Sequence, residues 1–386
     1  MPGYTTGELA VVALAATTLL LLAGTLADFA IGYRQIRRLE DTPPASHLPS
    51  LSIVVAARNE ARGIEAAVRS LLAIDYPGVE LIVVNDRSTD ETGAILARLA
   101  REHPSLAVMT IGELPDGWLG KNHALFVGAE RASGQILLFT DADVLFEPTT
   151  LRRAVAVIER DGLDHLAAIP EIEASGLALN AFVAAFGVFF SLYSRPWKAR
   201  DPQSAHHIGI GAFNLVRAAA YYAAGTHRAI AMRPDDDLKL GKLIKKHGLR
   251  QDVVLGGSFI LVEWYASIGE LIDGLTKNTF AGIDYSLIKV AGATLALLLT
   301  NVWPFAGVVV THGLVRGLNV ASVALIMTIF FVASIGNRRL YVLAYPLAAL
   351  LFTYIVWRSA LLAVSSGRVS WRGTSYSLAA MRANRL

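Results

Sequence analysis

Residues 135–143 read QILLFTDAD, an apolar run from Ile136 to Phe139 that closes on Thr140 and two carboxylates one residue apart, Asp141 and Asp143. A short, continuous apolar run bounded by polar residues is the pattern of a strand buried on both faces, the kind that fills a parallel sheet. The same pattern stands upstream in Leu51 to Ala57, followed by Arg58, Asn59 and Glu60, and in Glu80 to Val84, followed by Asn85 and Asp86. Around these runs the spacing predicts helices from Gly63 to Ile74 and from Lys121 to Ala132, and a strand from Leu106 to Ile111. Ser88 to Glu91 has the form of a capping box opening a further helix. Strands alternating with helices predict an α/β domain with a Rossmann-like, mostly parallel sheet. Such sheets bind ligands beyond the carboxyl ends of their strands, so the polar residues that follow each strand define the candidate site.

The rest of the 386-residue chain is unlike a soluble protein: 54% of residues are hydrophobic, 17% are charged, and the mean hydropathy is +0.46. One apolar run, Leu9 to Ala27, precedes the α/β region; three more follow, near Leu287 to Val310, Leu318 to Ile335 and Leu340 to Val364. Each approaches the roughly 20 residues that cross a bilayer core, which predicts transmembrane helices at both ends, four in all. Arg34, Arg37 and Arg38 follow the first run and Met1 to Glu8 carries no basic residue. This charge pattern predicts an uncleaved anchor, with the N-terminus outside and the next domain cytoplasmic. Leu177 to Tyr193 is also apolar and reads as a buried or interfacial helix of the domain rather than a span.

The expected organisation is a membrane anchor over 1–33, a linker over 34–50 containing Pro43, Pro44 and Pro49, and an α/β domain with interfacial helices over 51–284. Transmembrane segments over 285–366 and a basic tail over 367–386 complete it. The absence of cysteine excludes disulfides, thiolate nucleophiles and cysteine metal sites. The net charge of +3 comes from basic residues scattered around membrane segments and reads as topology, so no nucleic-acid partner is expected.

Asp141 and Asp143 lie on the same side of an extended segment, spaced to share a divalent cation with a diphosphate. Mg²⁺ or Mn²⁺ suits such hard oxygen ligands. Downstream, Arg233-Pro-Asp-Asp-Asp237 precedes an amphipathic helix, Leu238 to His247, with basic last turns and a stop at Gly248. Carboxylates there either stabilise a helix N-terminus or act as catalytic acids and bases, with Asp235 standing further out on the loop. Gly209 and Gly211 lack the strand-Gly-x-Gly-x-x-Gly-helix context of a dinucleotide fold.

Four motifs together, Ala57-Arg-Asn-Glu60, Val84-Asn-Asp-Arg-Ser-Thr-Asp90, Gly117-Trp-Leu-Gly-Lys-Asn-His-Ala-Leu125 and Phe139-Thr-Asp-Ala-Asp143, resemble the family-2 glycosyltransferases. The likeness is to the membrane-bound branch with ceramide glucosyltransferases and bacterial carotenoid- or hopanoid-associated glycosyltransferases. That resemblance implies a GT-A fold in a bacterial inner membrane and an inverting transfer from a nucleotide-sugar such as UDP-glucose to a membrane lipid. It also implies roles: Arg58, Asn59, Glu60 and Asp86 for the donor nucleotide, Lys121 near the donor, Asp141 by the ribose and metal, and Asp143 on the metal. Gly209 and Gly211 match the acceptor-side segment, where absent side chains let substrate approach the backbone. Counting back from Gly248 assigns the family's acidic pair to Asp236 and Asp237, with Asp237 the general base.

The Gln-x-x-Arg-Trp motif of processive relatives is missing near Asp273 to Lys277, which disfavours a polymer synthase. Lys277 in its place offers charge to the leaving diphosphate or snorkels at the interface. Trp371-Arg-Gly-Thr-Ser-Tyr376 resembles a tail motif of the branch and carries no evident role. The rival readings are a polysaccharide synthase or a polyprenyl-phosphate sugar transferase, which share the donor site, and a transporter with a nucleotide-sensing domain. The last predicts ionisable residues within the spans, and the final three segments hold few.

Overall fold

The computed structural model describes residues 5–333 and 336–386. It divides into two packed units: an apolar unit built from the stretches up to Gln35, Ala174–Arg195 and Tyr265–Ser366, and a sheet unit built from Ile36–Glu173, Pro196–Trp264 and Gly367–Leu386. Residues 1–4, at the start of the stretch without basic residues, and residues 334–335 at the end of the run Leu318 to Ile335, lie outside the described residues.

The apolar unit contains α1 (Thr6–Tyr33), α6 (Leu177–Ser194), α9 (Ile268–Gly282), α10 (Leu287–Leu297), α11 (Trp303–Val310), α12 (Gly313–Ala333) and α13 (Tyr345–Ser366). Five segments among the described residues are long and apolar enough to cross a membrane: Thr6–Tyr33, Leu177–Lys198, Leu287–Val310, Gly313–Ala333 and Leu340–Ser366. The second of these is the run assigned from sequence to the α/β domain. A helix apolar all round has no polar face to turn to water, so it is covered by other apolar elements. Phe189 of α6 accordingly meets Tyr345 and Phe352 of α13 with ring centroids 5.3 and 5.4 Å apart. By packing, the stretch 51–284 is thus interrupted at 174–195 and left again at 265, while the tail after 367 joins the sheet unit.

The sheet unit carries β1 (Arg37–Arg38), β2 (Leu51–Ala57), β3 (Glu80–Asp86), β4 (Leu106–Ile111), β5 (Ile136–Asp141), β6 (Val144–Phe146), β7 (His165–Glu173), β8 (Asn214–Arg217) and β9 (Gln251–Glu263). Its helices are α2 (Ile64–Leu72), α3 (Thr92–Glu102), α4 (Gly120–Arg131), α5 (Thr150–Asp161), α7 (Ala218–Ala223), α8 (Asp236–Lys246) and α14 (Leu378–Ala383), and a hairpin of β10 (Arg368–Trp371) and β11 (Thr374–Ser377) stands apart from the main sheet. Strand order is β1-β9-β7-β8-β5-β2-β3-β4, with β6 against β9. The run β5-β2-β3-β4 is parallel throughout, whereas β8 is antiparallel to both its neighbours. Alternate residues of β2 serve opposite layers: Ile53 and Val55 pack with Ile64 and Val68 of α2, and Val54 packs with Leu125 and Ala129 of α4. Burial on both faces is why β2 reads as an unbroken apolar run; each such Val or Ile contributes about 1.5–3 kcal/mol relative to exposure.

Two local expectations are corrected. Ser88 caps no helix: its hydroxyl accepts from the Asn59 N–H at 3.1 Å, α3 begins at Thr92, and the Asp90 carboxylate accepts from the Thr92 N–H at 3.0 Å. Tertiary pairing with the loop after β2 outcompetes the local cap. The downstream acidic helix begins at Asp236 rather than Leu238, so two of its carboxylates stand in the first turn, and it ends as expected at Gly248, in the left-handed region at φ +69°.

His165, fully buried on β7, sits 2.9 Å from the Asn214 side-chain oxygen, and burial pushes its imidazole down to about 4. The unfolded chain therefore takes up a proton near pH 6.5 that the folded chain refuses until about pH 4, and stability falls as pH drops through that window. The loss is at most about 3 kcal/mol. Melting curves across this range should show wild type and His165→Gln diverging in their acid sensitivity; parallel curves would argue against a buried neutral imidazole.

Candidate active site

The parallel register brings three polar strand ends to one edge. Ala57 pairs with Asn85, Asp86 with Ile111, and Ala56 with Asp141, so the loops leaving β2, β3 and β5 open side by side. Asp86 is buried and held by its neighbour Arg87, whose Nε donates to Oδ1 at 2.7 Å and Nη2 to Oδ2 at 3.1 Å; Arg58 lies 3.6 Å away. Asn59 stands at φ 55° and fastens this edge together. Its side-chain oxygen accepts from the Thr89 N–H at 2.8 Å, and the Glu60 N–H donates to the Thr92 hydroxyl at 2.8 Å. Asn59 therefore shapes the loop, and the Glu60 carboxylate is ion-paired with Arg372.

The second cluster surrounds Lys121 in the first turn of α4. Its ammonium lies 2.8 Å from Asp141 Oδ1 and 3.3 Å from Asp236 Oδ2. Burial works against this charge, but the carboxylates of Asp141, Asp236 and Asp237 outweigh it and hold the lysine protonated well above its ordinary value. Burial also pushes the Asp236 carboxyl up to about 7, opposed by Lys121 and reinforced by Asp237 and Asp141. Asp236 is 4% exposed; Asp237 is only half-buried, accepting from the Gly211 N–H and the Leu238 N–H, each at 2.8 Å. Burial raises Asp237 as well.

The two glycines stand where the chain itself comes close. A Cβ on Gly209 would lie 1.8 Å from the Asp237 carbonyl oxygen, and one on Gly211 would lie 2.5 Å from Asp141 Oδ2. Their missing side chains admit the chain's own α8 and Asp141. The Gly211 carbonyl accepts from the Asp141 N–H at 3.1 Å and the Thr140 hydroxyl donates to the Ala212 carbonyl at 2.8 Å, which ties this segment to β5.

Residues 52–222 match the family model described as Glycosyl transferase family 2. That span, which includes 174–195 of the apolar unit, is where this chain is similar to the family 2 glycosyl transferases. Over 345 residues, 85% of this chain and 88% of theirs, the chain is 25% identical to proteins named 4,4'-diaponeurosporenoate glycosyltransferase from Staphylococcus aureus strains such as USA300; against strain RF122 it is 26% identical over 343 residues. Among solved structures, the mannosyltransferase PcManGT from Pyrobaculum calidifontis, in complex with GDP-Man and Mn²⁺, superposes with a TM-score of 0.53 at 19% identity, covering 92% of this chain and 98% of that one. The fold is GT-A: a mostly parallel mixed sheet with helices on both faces, joined in one chain to apolar helices.

Asp143 lies in the turn between β5 and β6, where burial and the carboxylates of Asp141 and Glu60 push it up to about 7. Among the described residues no cluster of three or more such groups closes around one point. The neighbouring carboxylates of Asp141 and Asp143 suit Mg²⁺ or Mn²⁺, which take one or two protein carboxylates and complete their octahedron with substrate phosphate and water. Lys277 lies on α9 of the apolar unit.

Three supports were missed from sequence. Asn122, beside Lys121, donates to the carbonyls of Ile230 at 2.7 Å and Arg233 at 2.9 Å, stapling the loop that leads into the acidic helix. Arg233, 1% exposed, binds both oxygens of Asp235 at 2.8 Å. Asp235 is therefore a buried counter-ion, not an outlying loop residue. The adjacency Lys-Asn and the charge pair Arg-x-Asp are the only sequence signals for these, and neither says what it meets. The third support is the tail hairpin.

Proposed function

We propose that this glycosyl transferase moves a sugar from a nucleotide-sugar to a carotenoid-type lipid in a single inverting displacement at the cytoplasmic face of a bacterial inner membrane. The observation that carries this reading is the gathering of Asp86, Asp141 and Asp143 along the carboxyl edge of the parallel strands, with Lys121 joining Asp141 to Asp236 beside Asp237. A diphosphate is a poor guest for so acidic an edge unless a divalent cation intervenes, and Asp143 with Asp141 are the residues that would hold it. The ion, when bound, supplies charge that stabilises the departing diphosphate. Asp237, the accessible member of the acidic pair, takes the proton of an acceptor hydroxyl as that oxygen attacks the anomeric carbon.

The donor stands as UDP-glucose or a similar nucleotide-sugar, and the acceptor follows from the name of the S. aureus relatives and from the apolar helices. Arg34, Arg37 and Arg38 after α1 favour the cytoplasmic side for the domain. The test is mass spectrometry of lipids formed by the purified chain from UDP- and GDP-sugars with carotenoid alcohols, carotenoid acids and a membrane extract. A glycosylated carotenoid supports the reading; a polymer, or a sugar on polyprenyl phosphate, overturns it.

Asp143→Asn should abolish Mn²⁺-dependent binding of nucleoside diphosphate by calorimetry while the melting temperature is kept or raised, because a raised carboxylate is replaced by a neutral isostere. Undiminished metal-dependent binding by a folded variant would remove Asp143 from the metal.

A further inference from the structure

The tail motif Trp371 to Tyr376 forms the β10–β11 hairpin and packs within the sheet unit. Trp371 pairs with Thr374, leaving a two-residue loop, Arg372-Gly373, with φ 45° and 77°. Two consecutive residues in the left-handed region make the tight turn that Asn-Gly usually occupies, and a long charged side chain at its first position is uncommon. The conformation aims that side chain at the strand edge described above. Arg372 Nη2 lies 2.5 Å from Glu60 Oε1, and Nη1 donates to the Arg58 carbonyl. Its charge also reaches Asp143, whose carboxyl it pulls downward against burial.

The other end of the hairpin is anchored over the neighbouring strand end. Tyr376, 8% exposed, accepts from the Gly120 N–H at 3.4 Å and bonds the Arg87 guanidinium that clasps Asp86. Further along, the Asn384 side-chain oxygen accepts from the Met232 N–H at 3.0 Å and its amide donates to the Ala229 carbonyl at 3.1 Å. The tail is thus fastened across the loops after β2 and β3, the start of α4 and the loop before α8.

The cations on this edge are unequally free to meet a diphosphate. Lys121 is shared between Asp141 and Asp236, and Arg87 is spent on both oxygens of Asp86. The Arg372 guanidinium is 39% exposed, sits on a turn, and is ion-paired with Glu60. A guanidinium fork matches phosphate oxygens in pairs, as an ammonium does not. We propose that the hairpin completes the donor site and that Arg372 is a ligand for the diphosphate of the nucleotide-sugar, exchanging Glu60 for phosphate when donor binds. This rests on the donor-site reading above and adds to it a residue supplied from the far end of the chain.

The test measures binding of UDP and GDP, each with Mn²⁺, and of uridine and guanosine, to the purified full chain and to Arg372→Asn and Arg372→Lys. Asparagine suits the left-handed turn, so R372N keeps the hairpin and its melting temperature while deleting the cation. The expected result is at least a tenfold loss of diphosphate affinity in R372N with nucleoside affinity unchanged, and an intermediate loss in R372K. Diphosphate binding by R372N within twofold of wild type overturns the proposal, as does an equal loss for nucleoside, which would make the hairpin only a support for the base pocket. Wild-type chain that binds neither UDP nor GDP removes the donor-site reading and this proposal together, a result distinct from either of those.

Discussion

Replacing Asp237 with asparagine lowers transfer to a hydroxyl acceptor about 10²- to 10⁴-fold and leaves nucleotide affinity nearly unchanged. Asparagine retains an oxygen for the Gly211 or Leu238 N–H, so the start of α8 stays in place while the proton acceptor is lost. The half-buried position matters, because a base has to touch its substrate and Asp236 is closed in against Lys121. Burial raises the Asp237 carboxyl above its ordinary value, so the wild-type rate climbs with pH until the group is ionised. The variant lacks that limb. An acceptor that arrives as a carboxylate has no proton to surrender, and with it the variant keeps most of its turnover. Loss with both acceptors alike would make Asp237 a positioning residue, and wild-type turnover with a hydroxyl would remove it from the chemistry. Asp235→Asn behaves differently: it leaves the fully buried Arg233 short of its partner and shows first as lost stability.

Lys121→Met is the second large effect, and it falls on stability and activity together. The lysine is the shared counter-ion of Asp141 and Asp236, and removing one partner of a buried pair strands the others. With 22% of the side chain exposed, the low end of the usual cost applies, about 3 kcal/mol, or roughly 5–10 °C in melting temperature. The pH dependence identifies the cause. Asp236 already has a folded value of about 7 against 3.8 unfolded, and without Lys121 it rises further. A carboxyl raised in the folded state is stabilising while protonated and costs stability as pH climbs from 3.8 through the folded value. The deficit of Lys121→Met should therefore be small near pH 4 and grow above pH 7. A deficit equal at all pH values would point to lost packing instead.

How much of this was legible in the sequence depends on the range of each signal. Arg58, Glu60, Asp86, Asp141 and Asp143 could be placed because each follows a strand whose apolar run is visible, and in a parallel sheet all such ends share an edge. Asp236 and Asp237 were assigned by the resemblance, counted back from the stop at Gly248, whose left-handed turn the local chain decides. The purpose of Gly209 and Gly211 was not legible, since a missing side chain records that something comes close but not what. The capping box at Ser88 failed for a related reason: its hydroxyl has two competing partners, and the winner, Asn59, lies on another loop.

The sequence by itself determined the strands β2, β3 and β5, the α/β class, the apolar helices and the acidic residues, because burial on two faces, helix length and strand-end polarity are each written in a few consecutive residues. Tertiary structure alone decided that α6 packs with the apolar helices, that Asp235 neutralises a buried arginine, and that the tail hairpin lies on the strand edge. Arg372 meets the Arg58 carbonyl across 314 positions of chain. A contact of that span depends on the pairing order of the whole sheet, and no local pattern of hydrophobicity or charge encodes it.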